Sequence, residues 1–193
     1  MAACYSLRDS YNPGTVVSAG IAGAIHSEVR PGDVVVATRV IHYDLRKKTP
    51  GGTRRRPEEF RAPAVTEDAV NAFLTRHDPP EVEVPVRGQP GATRTVRVHM
   101  GLIGSGNAVI ADRDSGVLRD LTGYHDRILA VDMETAGIAR ACHEQAAATG
   151  QVHGWVAVRG ISDDASQDKD DAFHEIAAWN AAAILRELLP YLP

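Results

Sequence analysis

Three stretches of the sequence place carboxylates or closely spaced glycines where an apolar run gives way to polar residues. They are Gly20 to Gly23, Val131-Asp132-Met133-Glu134, and Arg159-Gly160-Ile161-Ser162-Asp163-Asp164. Ligands of open α/β sheets bind beyond the carboxyl ends of strands, so these edges are where a site is expected. A carboxylate there can be half buried, which raises its pKa and lets it hold or share a proton near neutrality. Each acidic edge alone also fits an N-cap or a turn. Two acidic edges on adjacent strands, with a glycine loop beside them, favour a site.

Other chemistries fit less well. Gly104-Ser105-Gly106-Asn107-Ala108-Val109 is an incomplete dinucleotide fingerprint, lacking the last glycine and a clear following helix. The eight histidines, among them His42, His99, His125, His153 and His174, show no metal-ligand spacing, so no metal is expected. Ser18, Ser105 and Ser162 lack the nucleophile-elbow glycines of a triad hydrolase. Residues 44 to 63 gather Arg46, Lys47, Lys48, Arg54, Arg55 and Arg56 around Pro50-Gly51-Gly52. They read as an exposed, mobile loop that is either plain solvated surface or an anion-binding lid over the site.

The elements that must position these edges follow from periodicity. Leu7 and Tyr11 share a helical face before Pro13-Gly14. Thr15-Val16-Val17 is a strand that breaks into a small-residue loop from Ala19 to Ala24, and Val34 to Tyr43 is a β-branched strand. Thr66 to Leu74 is expected to be a helix with Thr66 as N-cap. Strands follow at Val82 to Val86, Thr93 to Ile103, Ile128 to Val131 and Trp155 to Ile161. A helix from Glu134 to Ala148 closes at Gly150, and a polar loop spans Ser162 to Asp170. The final helix, Asp171 to Leu189, buries Phe173, Ile176, Ala177, Ile184, Leu185, Leu188 and Leu189. This order predicts one α/β domain around a mixed, largely buried sheet.

Composition narrows the function classes. The chain has 193 residues, 44% of them apolar, which is enough for one sizeable core. With 21 Lys and Arg against 25 Asp and Glu, the net charge of −4 gives no global attraction to nucleic acid or anionic membrane. Cys4 and Cys142 form no disulfide framework and read as reduced thiols of a cytoplasmic protein. The apolar run Val16 to Ile25 is about half the roughly 20 residues that cross a bilayer.

In combination, AVDMETAGIARAC at 130 to 142, VRGISDDA at 158 to 165, GLIGSGNAVIAD at 101 to 112 and SAGIAGAI followed by PGDVVVATRVIHYD resemble the purine nucleoside phosphorylase and nucleosidase superfamily. The similarity runs in order from Val16 to Leu189 and is nearest the 5′-methylthioadenosine/S-adenosylhomocysteine nucleosidase branch. It implies a three-layer α/β/α sandwich and one nucleosidase-like domain over residues 1–193. It also implies a homodimer or larger homo-oligomer acting on a nucleoside without a cofactor. By this resemblance Glu134 accepts hydrogen bonds from the ribose 2′- and 3′-hydroxyls and Met133 packs on the sugar. Asp163 is the general acid at purine N7, held by Ser162. Val109 and Ile110 border the base, and Ala22 and Gly23 bring main chain to the ribose and the nucleophile.

The sequence departs from the family pattern at two places. Where phosphorylases hold phosphate with an arginine and a Ser or Thr, this chain has Ser18 and Ile21, so water is the expected nucleophile. The family's N-terminal strand, loop and helix, with a water-activating glutamate, have no counterpart in the sequence. The chain is therefore expected to be N-terminally incomplete, open along the strand at Thr15 to Ala19, and weakly active. A purine nucleosidase is the expected activity. The alternatives are a phosphate-dependent phosphorylase, or a nucleoside-binding or sensor module of impaired catalysis.

Overall fold

The computed structural model describes residues 5–6, 10–108, 115–164 and 171–193. The main elements of these residues are nine strands and four helices. The strands are β1 (Thr15–Ala24), β2 (Val34–His42), β3 (Arg46–Thr49), β4 (Gly52–Arg55), β5 (Glu58–Arg61), β6 (Glu81–Pro85), β7 (Thr93–Ser105), β8 (Ile128–Asp132) and β9 (Gly154–Asp163). The helices are α1 (Ala64–Arg76), α2 (Gly116–Tyr124), α3 (Thr135–Thr149) and α4 (Asp171–Leu188), and a 3₁₀ turn follows at Leu189–Tyr191.

Seven strands form a mixed sheet in the order β5-β2-β9-β1-β8-β7-β6, and β2 also pairs with β7, so the sheet curls back on itself. Alternation along the central strands divides the core. Val34, Val36, Val156 and Val158 pack with α1 and α4 through Val70, Phe73, Ile184 and Leu188. Val35, Ala37, Trp155 and Ala157 face the other way, toward Ala139 and Cys142 of α3. Two-sided burial explains why β2 and β9 read as continuous apolar runs and not as alternating ones. Ile41, Ile103, Ile161, Ile184 and Leu188 are fully buried, each worth roughly 1.5–3 kcal/mol relative to exposure.

Several expectations are corrected. The segment Ala19 to Ala24 is not a loop. It continues β1, because β9 runs parallel beside it from Thr15↔Gly154 to Gly23↔Asp163. Residues 44 to 63 are mostly paired: β3 and β4 form a hairpin with Arg46 opposite Arg55, and β5 pairs with the second half of β2. Helix α1 starts two residues before Thr66, with Pro63 at the N-cap position. Thr66 N–H donates to the Pro63 carbonyl, which puts Thr66 inside the first turn and its side chain in the interior. Phe173 and Leu189 are exposed; the buried stripe of α4 runs through Ala177, Ala181, Ile184 and Leu188, at helical spacing. The strand at the third edge extends through Ser162 to Asp163. Helix α2, which the pattern analysis did not anticipate, is capped by Ser115 Oγ accepting from Leu118 N–H at 3.3 Å.

The acidic edges do not lie on adjacent strands, because β1 stands between β9 and β8. They nevertheless converge. Strand β1 meets β8 antiparallel through only Gly23↔Val131 and Ala24↔Ala130, so the two strands touch at their carboxyl ends. Asp163, at the end of β9, lies opposite Gly23 on the other side. Among the described residues, no strand pairs with β1 from Thr15 to Ala22 on the side away from β9.

Candidate active site

A cleft of about 430 Å³ opens where the three strands end, a size within the range of roughly 300–1,000 Å³ that suits a small ligand. Its walls are the whole segment Ser18 to Gly23 of β1, the Val131 to Glu134 turn, Ser162 and Asp163 of β9, and Tyr43, Ala108, Arg159 and His174. The structure thus brings Ala22, Gly23, Met133, Glu134, Ser162 and Asp163 together around one space. Val109 and Ile110 lie outside the described residues.

Beneath the cleft sits an ion pair to which sequence reasoning gave no role. Arg159 Nε donates to Asp132 Oδ2 at 2.7 Å, and both side chains are 1% exposed. A second arm of the guanidinium donates to the Ser18 carbonyl at 3.0 Å, and a third reaches Ser18 Oγ at 2.9 Å and Thr135 Oγ1 at 3.1 Å. Such saturation is what makes a buried guanidinium tolerable. Gly20 leaves the room for it, since a Cβ there would stand 3.3 Å from Arg159 Nη1. The available sign was an arginine inside Trp155 to Ile161, an otherwise apolar strand, because a charge in such a strand has to be paired.

The pair also settles the start of α3. Asp132 accepts from the Thr135 N–H at 3.3 Å and from the Thr135 hydroxyl, and Ser105 Oγ accepts from the Ala136 N–H at 3.1 Å. The first donors of the helix are therefore taken by Asp132 and Ser105. Glu134 occupies the N-cap position but makes no side-chain cap hydrogen bond. Its side chain is 66% exposed, with Oε2 3.9 Å from Arg159 Nη2. The capping explanation of this carboxylate thus does not hold, and it borders the cleft beside the exposed Met133.

Opposite, the Ser162 hydroxyl lies 2.8 Å from Asp163 Oδ2, to which it donates, and 3.4 Å from the Ala22 carbonyl. Ser162 is buried and Asp163 half-buried. Ser18 is occupied by Arg159, and Ile21 presents an apolar side chain among the lining residues. Tyr43 closes the third side: its ring fills the space that a Cβ on Gly106 would need, and burial together with Asp44 and Asp132 pushes its pKa up to about 12. It is a neutral hydroxyl at physiological pH.

A mixed sheet with helices on both sides and a cleft at its converging strand ends is an architecture shared with known enzymes. The chain belongs to the phosphorylase superfamily, whose family description matches residues 1–190. It is 30% identical over 197 residues to the ATP nucleosidase Cap17 of Escherichia coli, an alignment covering 96% of this chain and 37% of that protein. It therefore spans well under half the length of that relative. It is 31% identical over 182 residues to a 5′-methylthioadenosine/S-adenosylhomocysteine nucleosidase of an Exiguobacterium species, covering 93% of this chain and 70% of the other. Among solved structures, it resembles the corresponding nucleosidase of Neisseria meningitidis in complex with methylthio-immucillin-A, with a TM-score of 0.74 at 23% identity, over 99% of this chain and 75% of that one. The futalosine hydrolase of Helicobacter pylori shares the fold equally, with a TM-score of 0.74 at 17% identity, over 99% of this chain and 74% of that one.

Proposed function

We propose that this chain hydrolyses the N-glycosidic bond of a purine nucleoside of the adenosine type. The observation that carries the reading is the pair of carboxylates facing one cleft, with Glu134 released from helix capping and Asp163 held by Ser162. The names of its relatives, nucleosidases of methylthioadenosine, S-adenosylhomocysteine and ATP, support the class of reaction and leave the 5′ substituent open.

In this reading Glu134 accepts hydrogen bonds from the ribose 2′- and 3′-hydroxyls, and Met133 lies along the sugar. Asp163 gives its proton to N7 as the bond between C1′ and N9 breaks, which makes the departing base neutral. The sugar becomes oxocarbenium-like. Stabilising that state more than the bound nucleoside is what lowers the barrier. Water then forms the bond to C1′ from the side of Ala22 and Gly23, and its proton leaves to solvent. Water is favoured over phosphate because Ser18 is engaged by Arg159 and Ile21 offers no ligand to an anion. The test is release of free base from adenosine and from 5′-methylthioadenosine, with and without phosphate. Nucleoside binding without base release would instead mark a binding module.

A further inference from the structure

A second cavity, of about 620 Å³, shares one lining residue with the cleft, Tyr43. Its remaining walls are Arg46, Arg54, Arg55 and Pro57 on one side and Asp120, Leu121, Gly123 and Tyr124 on the other. Three guanidinium groups thus meet one lining carboxylate, and that carboxylate, Asp120 Oδ2, is already paired with Arg55 Nε at 3.1 Å. The Nη1 atom of the same arginine is buried without a hydrogen-bond partner among the described residues. Arg55 thus lines the cavity with its charge only partly compensated, while the guanidinium groups of Arg46 and Arg54 line it as well.

The hairpin that carries these arginines points the same way. Its register sets Arg46 directly opposite Arg55, and Lys47 directly opposite Arg54. Like charges facing each other across two strands destabilise the pairing. No acidic residue occurs from Leu45 to Arg56 to offset them. A polyanion placed against the hairpin would relieve that repulsion, and planar guanidinium groups match phosphoryl oxygens through paired hydrogen bonds.

We propose that this cavity binds phosphoryl groups. Because it shares Tyr43 with the cleft, the source the arrangement favours is the 5′-phosphate chain of a nucleotide whose nucleoside occupies the cleft. That link to substrate rests on the nucleosidase reading; the affinity of the cavity for phosphoryl groups does not.

The test has a binding arm and a rate arm. Calorimetric titration with inorganic tripolyphosphate and with orthophosphate compares the unaltered chain with Arg46→Gln/Arg54→Gln and with Lys47→Gln/Lys48→Gln. The last variant removes the same charge from residues that do not line the cavity. Tripolyphosphate affinity is expected to fall by at least about tenfold in the arginine variant only, and to weaken with added salt. No binding to the unaltered chain, or equal binding by all three proteins, would overturn the proposal. Base release from adenosine, its 5′-monophosphate and its 5′-triphosphate then identifies the source. A kcat/KM rising with phosphate number, and levelled in the arginine variant, assigns the phosphates to substrate. Equal cleavage of the three with tripolyphosphate still bound assigns the cavity to a free anion. If no substrate is cleaved, the nucleosidase reading fails while the titration still decides the cavity.

Discussion

Asp132 and Glu134, two residues apart, have different surroundings, and only Glu134 was given a task by the resemblance. Asp132 is 1% exposed, caps α3 and pairs with Arg159, while Glu134 is 66% exposed and faces the cleft. Glu134→Gln is therefore expected to leave stability nearly unchanged and to weaken nucleosides much more than free purine bases. Charge-assisted hydrogen bonds are worth roughly 1.5–3 kcal/mol each, and their partners here would be sugar hydroxyls. Parallel titrations with adenosine and adenine check this; equal losses would return Glu134 to a structural role. Arg159→Met should behave in the opposite way. It leaves Asp132 as an unpaired buried charge, at a cost of about 3–5 kcal/mol, so denaturant unfolding should detect it before any assay does. That Asp163, Ser162, Glu134 and Met133 would meet around one space was legible from their position at strand ends. The Arg159 network was not, because its partners come from two segments distant from it in sequence, Ser18 of β1 and the turn from Asp132 to Thr135, and only the closed sheet brings them together.

Strand β9 is the element on which the site depends most, since it carries Arg159, Ser162 and Asp163 in a single run. Helix α4 lies directly against it at Gly160. A Cβ there would fall 1.9 Å from the Ala177 carbonyl oxygen and 2.4 Å from its carbon, both backbone atoms. Gly160→Ala must therefore shift a whole helix or strand. Overpacking of this kind costs typically 1–3 kcal/mol, and base release should fall as well because Ser162 and Asp163 move with the strand. A thermal midpoint and rate equal to those of the unaltered chain would show that the helix seat is looser than described. At this scale the sequence was informative where burial is two-sided, as in β2, β8 and β9, whose apolar runs have one reading. It misled where pairing overrides local preference. Small residues from Ala19 to Ala24 suggest a loop, yet β9 supplies a ladder that holds them as strand. The charged, glycine-containing stretch after Tyr43 likewise pairs as β3 and β4.

At the scale of the whole molecule, the curled sheet is what makes a site from strands that run in opposite senses. Strands β1 and β9 are parallel, β8 meets β1 antiparallel, and the contact falls at their carboxyl ends, so Gly23, Val131 and Asp163 become neighbours. Alternation of helices and strands made the α/β class readable, but closure through β2 and β7 depends on a pairing between segments some 60 residues apart. Among the described residues no strand pairs with β1 from Thr15 to Ala22 on the side away from β9, and Ser18 to Gly23 of the same strand line the cleft. The central claim, hydrolysis of a purine N-glycosidic bond with Asp163 as the acid, is tested most directly by identifying the products from adenosine-type nucleosides, for the unaltered chain and Asp163→Asn, with and without phosphate. The account predicts free base and free ribose at a rate indifferent to phosphate. It also predicts a rate lower by at least about 10²-fold in Asp163→Asn, the low end of general-acid contributions, with nucleoside affinity retained. Ribose 1-phosphate among the products, or undiminished turnover by Asp163→Asn, would contradict it.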